Sequence, residues 1–293
     1  MKKSTKVCLI IATCLVLVGS VVFCSAMSML NWDFSKMNNF ETNTTKINEK
    51  IVNITIESSG ADIVIVPAKI DDSKAVCYEK SSQKHSVTVS DGNLEIKAND
   101  TRKWYEYIGV NFGSPKITIY LPKGEYDSLS VKSVTGDVEI SREYDFKSID
   151  ISQSTGDITN YASANKAKLE TTTGNIYVNK TNFDTLDVTV TTGTVSLTDV
   201  TCNGDIDVNV TTGKTSVSNV ECKSFKSEGT TGDVDFNKTI ATGKFTVNRS
   251  TGDITFDGCD GAEIFAEATT GDICGTLLTE KVFIASTSTG SID

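Results

Sequence analysis

The chain has 293 residues, 38% of them hydrophobic, with a formal net charge of −10 and a single histidine, His85. The acidic balance excludes the basic footprint that nucleic-acid binding requires, and so low an apolar fraction suits a thin, elongated core better than a compact enzyme. The three prolines, Pro67, Pro115 and Pro122, all lie in the first half, so no proline interrupts a strand ladder in the second.

Lys2, Lys3 and Lys6 precede a run of 26 uncharged residues, Val7 to Trp32. Roughly 20 apolar residues suffice to cross a bilayer as a helix, and lysines ahead of such a run keep that end inside. Residues 7–32 are therefore expected to form a transmembrane signal anchor after a short cytoplasmic stretch, 1–6, with the rest of the chain outside the cytoplasm. A cleaved signal peptide ending near Ser25 and Ala26 shares this charge order and places the remainder on the same side. A linker over 33–50 is expected next, then irregular rungs and a cap over 51–127, then regular repeats over 128–293.

The repeat is carried by a turn. Thr135-Gly136, Thr155-Gly156, Thr173-Gly174, Thr192-Gly193, Thr212-Gly213, Thr231-Gly232, Thr251-Gly252, Thr270-Gly271 and Thr289-Gly290 recur every 18 to 20 residues. Mostly short polar residues, most often aspartate, follow the glycines, which is turn chemistry because glycine accepts positive φ and Asp or Asn bonds nearby backbone. Residues seven before the glycine, from Leu129 and Ile149 to Phe283, are apolar throughout. Those five before and two after are mainly apolar, and polar residues alternate with them, as in half-buried strands.

An antiparallel sandwich also shows alternating strands, but nothing in it requires the same residue type at the same phase in nine successive copies. A parallel β-solenoid, or β-helix, does, because equivalent residues stack about 4.8 Å apart. The fold expected is all-β, a solenoid with rungs of about 19–20 residues preceded by one transmembrane helix. The Thr-Gly columns are expected to act structurally, as a turn and a packing and hydrogen-bond ladder. Placing Ala61 in the glycine column aligns Ile54, Ile56, Ile63 and Ile65 with the later apolar columns. Placing Gly92 there aligns Val87, Leu94 and Ile96, so two degenerate rungs are expected in the first part of the chain.

Chemistry is sparser. Asp137, Asp157, Asp233, Asp253 and Asp272 could form a calcium-binding column, but Asn175, Thr194, Lys214 and Ser291 interrupt it, and simple turn residues account for the pattern. Glu139, Glu170, Asp187, Asp207, Glu228 and Glu267 fall on different columns with no evident acid pair, and His85 reads as a surface residue. No catalytic residue, metal or cofactor is therefore assigned, although a polysaccharide-acting β-helix enzyme is the alternative to a binding protein. Cys202 and Cys222 share one phase in adjacent rungs, within disulfide reach. They form either a disulfide or a column of two buried thiols. Trp104, Tyr105, Tyr107 and Phe112 suit an end cap, a sugar-binding patch or a surface at the lipid headgroups.

A short start, one apolar anchor, an irregular region ending near "KITIYLPKGEYDSLSV" and serial "STGDI" rungs resemble the bacterial putative-adhesin family of unknown function. The resemblance covers nearly the whole chain. It implies a membrane-anchored or secreted β-solenoid at the cell envelope, either an adhesin or a component of envelope stress sensing, with no catalytic residues to transfer. The expected partners are the membrane, through the N-terminal helix, and an envelope polymer, another envelope protein or a second copy.

Overall fold

The computed structural model describes residues 3–29, 32, 40–69, 72–100 and 113–293. The uncharged run forms one helix, α1 (Lys3–Met29). Its stretch Thr5–Met29 is long and apolar enough to cross a membrane: 25 residues at about 1.5 Å each span more than the roughly 30 Å hydrocarbon core. Leu15, Val16 and Val21 on this helix are exposed, as a lipid-facing surface would be.

Among the described residues the remaining regular structure is strand. The first part of the chain holds β1 (Phe40–Lys46), β2 (Asn53–Ser58), β3 (Asp62–Pro67), β4 (Lys74–Lys80), β5 (Gln83–Ser90), β6 (Asn93–Asp100) and β7 (Lys116–Leu121). The repeat begins with β8 (Gly124–Thr135), β9 (Val138–Ile140), β10 (Tyr144–Thr155), β11 (Ile158–Asn160), β12 (Ser163–Thr173), β13 (Ile176–Thr192) and β14 (Val195–Cys202). It continues through β15 (Asp205–Thr212), β16 (Thr215–Cys222), β17 (Ser224–Thr231), β18 (Val234–Thr251), β19 (Ile254–Thr270), β20 (Ile273–Leu277) and β21 (Phe283–Thr289).

Each coil contributes two arms. The arms before the glycine pair in parallel from β8 through β10, β12, the second half of β13, β15, β17 and the later parts of β18 and β19 to β21. The arms after it form a second parallel stack through β9, β11, β13, β14, β16, β18, β19 and β20. This is a parallel β-solenoid of about nine turns, about 40 Å tall at the spacing of neighbouring strands.

Register turns the sequence columns into physical ones. Leu129, Ile149, Ala167, Leu186, Ile206, Phe225, Phe245, Ile264 and Phe283 lie directly above one another. Together with the opposite arms they fill one continuous core. Near its far end Phe225, Phe236, Phe245 and Phe256 interlock, with ring centroids 4.8–5.6 Å apart. Burying each such side chain contributes about 1.5–3 kcal/mol, and the edge-to-face contacts among them add to it.

The first rung is β2 and β3. Ala61 occupies the glycine column, since Ile54 and Ile56 pair with Leu129 and Val131 while Ile63 and Ile65 pair with Val138 and Ile140. The expectation for Gly92 fails. Asp91 and Gly92, with φ of 52° and 76°, turn a tight antiparallel hairpin between β5 and β6, the geometry that an Asp-Gly pair favours. Leu94 and Ile96 therefore stack on Ile54 and Ile56, in the columns before the glycine, not after it. The segment read as a linker, 33–50, contains β1, which pairs antiparallel with β4 along its whole length. With β7 also antiparallel to β4, the two stacks end in an antiparallel cap.

Candidate functional site

The glycine column is dictated by the backbone twice over. Gly213 has φ of +140°, and a Cβ on it would lie 1.8 Å from Gly193 O. Every later rung repeats the conflict with the glycine below it. Ala61 escapes because it is the lowest member of the column and has no positive φ.

The hydrogen-bond ladder runs one residue further on. Asp62 Oδ1 accepts the Asp137 N–H (3.0 Å), Asp137 Oδ1 that of Asp157 (2.8 Å), Asp157 Oδ1 that of Asn175 (2.7 Å) and Asn175 Oδ1 that of Thr194 (2.9 Å). After the interruption at Lys214 the series resumes through Asp233, Asp253, Asp272 and Ser291. The Ser291 N–H and hydroxyl hold the Asp272 carboxyl below its ordinary range. One oxygen of each aspartate thus caps the next coil, and among the described residues no group of three His, Cys, Asp or Glu side chains converges as metal ligands would.

The nine threonines are in register and exposed. Of their hydroxyls only that of Thr135 donates within the described chain, to Ser59 O at 3.2 Å. Their backbones join the coils, but their side chains do not form the expected ladder of mutual hydrogen bonds. The residues just before eight of them, Ser154, Thr172, Thr191, Thr211, Thr230, Ser250, Thr269 and Ser288, are exposed as well, whereas Thr135 follows the exposed Val134. Two adjacent columns of hydroxyls therefore run through the eight coils from Gly156 to Gly290.

Three residues before the glycine the chain faces inward, and this column has mixed polarity. Ser133, Gln153, Thr171 and Thr287 turn their side chains onto carbonyls of the turn. Arg249 occupies the same column, buried, with its guanidinium donating to Asn248 O, Thr215 Oγ1 and Ser227 Oγ at 3.0–3.1 Å. Among the described residues no carboxylate bonds it, and burial lowers its pKa to about 10. Gly229 beneath it makes the room, since a Cβ there would stand 2.8 Å from Nη1. The sequence signal was present in polar residues at a phase where the alternation predicts apolar ones.

The outward acids form charge columns. Asp150, Lys168, Asp187, Asp207 and Lys226 stack in that order, and lysines reach along their own arms to Glu170 and Glu228 at 2.8 and 2.9 Å. Partial burial raises the Asp187 carboxyl, and Asp207 adds to the effect while Lys168 opposes it. Glu139 pairs with Thr159 and Val64, and Glu267 with Asn248, so these acids do not gather into one site. Cys202 and Cys222 are buried neighbours in adjacent coils and are free thiols. The aromatic cluster Trp104, Tyr105, Tyr107 and Phe112 lies outside the described residues.

His85 is not a surface residue. Its side chain is 6% exposed, with Nδ1 2.8 Å from Glu79 Oε2, and the Glu79 side chain is 1% exposed. Glu79 also accepts the His85 N–H (2.7 Å) and Asn43 Nδ2 (2.7 Å). On its other side His85 Nε2 stands 3.3 Å from Ser58 Oγ, which accepts the Gly60 and Ala61 N–H groups at 3.4 and 3.2 Å. This inward-facing cluster joins β1, β2, β4 and β5 beside a cavity of about 400 Å³. Sequence columns could not show it, because Ser58 belongs to the first rung while Asn43, Glu79 and His85 are brought to it by antiparallel strands outside the repeat.

These features define a class: a capped parallel β-solenoid, built of stacked Thr-Gly-Asp turns and preceded by an apolar helix. Within that class the chain belongs to the Toastrack DUF4097 family, which it matches over residues 51–213. Among solved structures it is similar to a "putative adhesin" from Parabacteroides distasonis ATCC 8503, at 11% identity and a TM-score of 0.51 over 87% of this chain and 98% of that one. A "putative lipid binding protein" from the same organism gives 13% identity and a TM-score of 0.48 over 87% and 98% of the two chains. A "putative adhesin" from Bacteroides fragilis NCTC 9343 gives 17% and 0.46 over 86% and 95%. No curated protein sequence matches the chain.

Proposed function

We propose that the protein is a non-enzymatic, membrane-anchored component of the cell envelope that holds its solenoid outside the cytoplasm and binds a polymeric glycan along the Thr-Gly edge. The observation that carries this reading is the double column of exposed hydroxyls, repeated at eight successive coils and almost unused within the described chain. A periodic polymer can meet such a row at many equivalent points, each weak, and gain affinity by multivalency. The adhesin names of the similar structures point the same way. The exposed apolar helix α1 supplies the attachment.

The test is retention on purified wall polymer of the soluble part of the chain, from residue 40, and of a variant with Thr192, Thr212 and Thr231 replaced by lysine. These residues are exposed, so the fold tolerates the change, and binding should fall at least about tenfold. Unchanged retention would remove the Thr-Gly edge from the function. Capture of a specific membrane protein by the full-length chain, with no affinity for wall polymer, would establish a scaffold or stress-sensing role instead.

A further inference from the structure

The cavity in the cap lies at the foot of the threonine column. Thr135 and Gly136, the first Thr-Gly pair of the edge, form one side of it, and Ser59 and Gly60 of the coil below stand beside them. The Thr135 hydroxyl donates to Ser59 O at 3.2 Å, so the edge and the rim of the cavity are joined. Phe40 of β1 and Asn99 of β6 close it from the cap. Its volume of about 400 Å³ lies at the small end of the range for sites that enclose a ligand.

The wall carries charges that cancel. Lys84 is paired with Glu41 at 2.5 Å, and the two other charged lining residues beside it, Lys80 and Asp62, have opposite signs. His85 gives the wall a fixed shape, because Glu79 and Ser58, which stand behind it, engage both of its ring nitrogens. An ionic ligand therefore meets no excess charge, whereas the hydroxyls of a neutral sugar meet both acceptors and donors. Asp62 spends one oxygen on the Asp137 N–H at 3.0 Å and keeps the other as an acceptor. The Asn99 amide and the Thr135 hydroxyl can each donate and accept. Phe40, stacked on Tyr78 with centroids 4.8 Å apart, adds the apolar aromatic surface on which the C–H groups of a sugar pack.

We propose that this cavity takes the terminal, uncharged sugar of the polymer that lies along the Thr-Gly edge, so that the protein recognises a chain end. The inference rests on the glycan reading of that edge and supplies what the edge alone lacks. A row of equivalent hydroxyls cannot fix where along a periodic polymer the protein sits, because a shift by one repeat exchanges like contacts for like. A cavity walled by the cap does fix it: a terminal residue fits, while an internal one would have to carry its chain onward through the cap strands. Occupancy of the cavity sets direction and register, and the threonine column then adds its repeated weak contacts.

The test measures retention of the full-length protein, in detergent, on wall polymer before and after limited hydrolysis, which multiplies chain ends at constant mass. Protein retained per unit mass should rise in proportion to the number of ends. Ser59→Trp places an indole in the cavity and Asn99→Ala removes an amide from its wall. Both positions are exposed, so circular dichroism should match the parent, while affinity should fall at least about tenfold in each. Because no net charge is matched, retention should not change with salt, and a fall as salt rises would overturn the uncharged ligand. Retention that follows mass instead of ends, with both cavity variants bound as tightly as the parent, would overturn the cavity; if the lysine variant of Thr192, Thr212 and Thr231 still loses binding, the edge survives alone. The converse, loss in Asn99→Ala with the lysine variant unaffected, would uphold the cavity and remove the edge. No retention of any form would overturn both.

Discussion

Arg249 is the most costly side chain in the core, because a buried guanidinium loses its hydration and here recovers only hydrogen bonds to hydroxyls and a carbonyl. The variant Arg249→Met with Thr215→Val and Ser227→Val replaces the cluster with apolar side chains, the two valines being the residue type found one coil away at Val195 and Val208. Urea unfolding should show it stabilised by about 1–4 kcal/mol, whereas Arg249→Ala alone should destabilise by leaving two hydroxyls without a partner. The buried thiols act at the other end of the pH scale. Burial pushes Cys222 from its ordinary value near 9 up to about 12 and, by the same cause, Tyr126 from 10 to about 12. The unfolded chain therefore releases these protons first as pH rises. Their contribution is complete below about pH 9 and is lost on the way to about 12. Cys222→Val should flatten the decline of the thermal midpoint across that interval.

At the scale of the coil, backbone contact outweighs side-chain capping. Gly213→Ala meets both a forbidden φ and the Gly193 carbonyl, and should cost about 3 kcal/mol or more by chemical denaturation. Asp253→Ala removes one acceptor from the Asp272 N–H and should cost about 0.5–1.5 kcal/mol. The order of these two losses tests whether the turn or its cap sets the stability of a coil. The same distinction explains what could be read from sequence. A parallel stack repeats every constraint at a fixed period, so the glycine, the aspartate and the Leu129-to-Phe283 column were all legible in one dimension. The hairpin at Asp91-Gly92 and the strand Phe40–Lys46 were not, because antiparallel pairing reverses the phase and a turn glycine looks the same in both settings. The Ser58, Glu79 and His85 cluster was hidden for the same reason: its members are contributed by three strands with no common period.

On the scale of the molecule, coils touch only their neighbours, so stability is a sum of local terms along one axis. A lesion at Gly213 should therefore divide thermal unfolding into two transitions, which calorimetry of the soluble part would resolve, while a lesion at the exposed threonines should leave a single one. The helix is a separate element in this balance: with its apolar side chains exposed, the full-length chain should enter the detergent-rich phase on cloud-point separation and residues 40–293 the aqueous phase.

Because each aspartate caps the coil that follows and is indifferent to which coil that is, the solenoid has no unique middle. Removing residues 194–213 would bring Gly193 against Lys214, keep every column continuous and give the Asn175 side chain a new N–H to accept. Length is therefore a variable that can change in whole steps of about 4.8 Å, one coil at a time. Lineages of this architecture can lengthen or shorten their hydroxyl edge by duplicating or losing a single repeat, with no compensating change elsewhere in the chain.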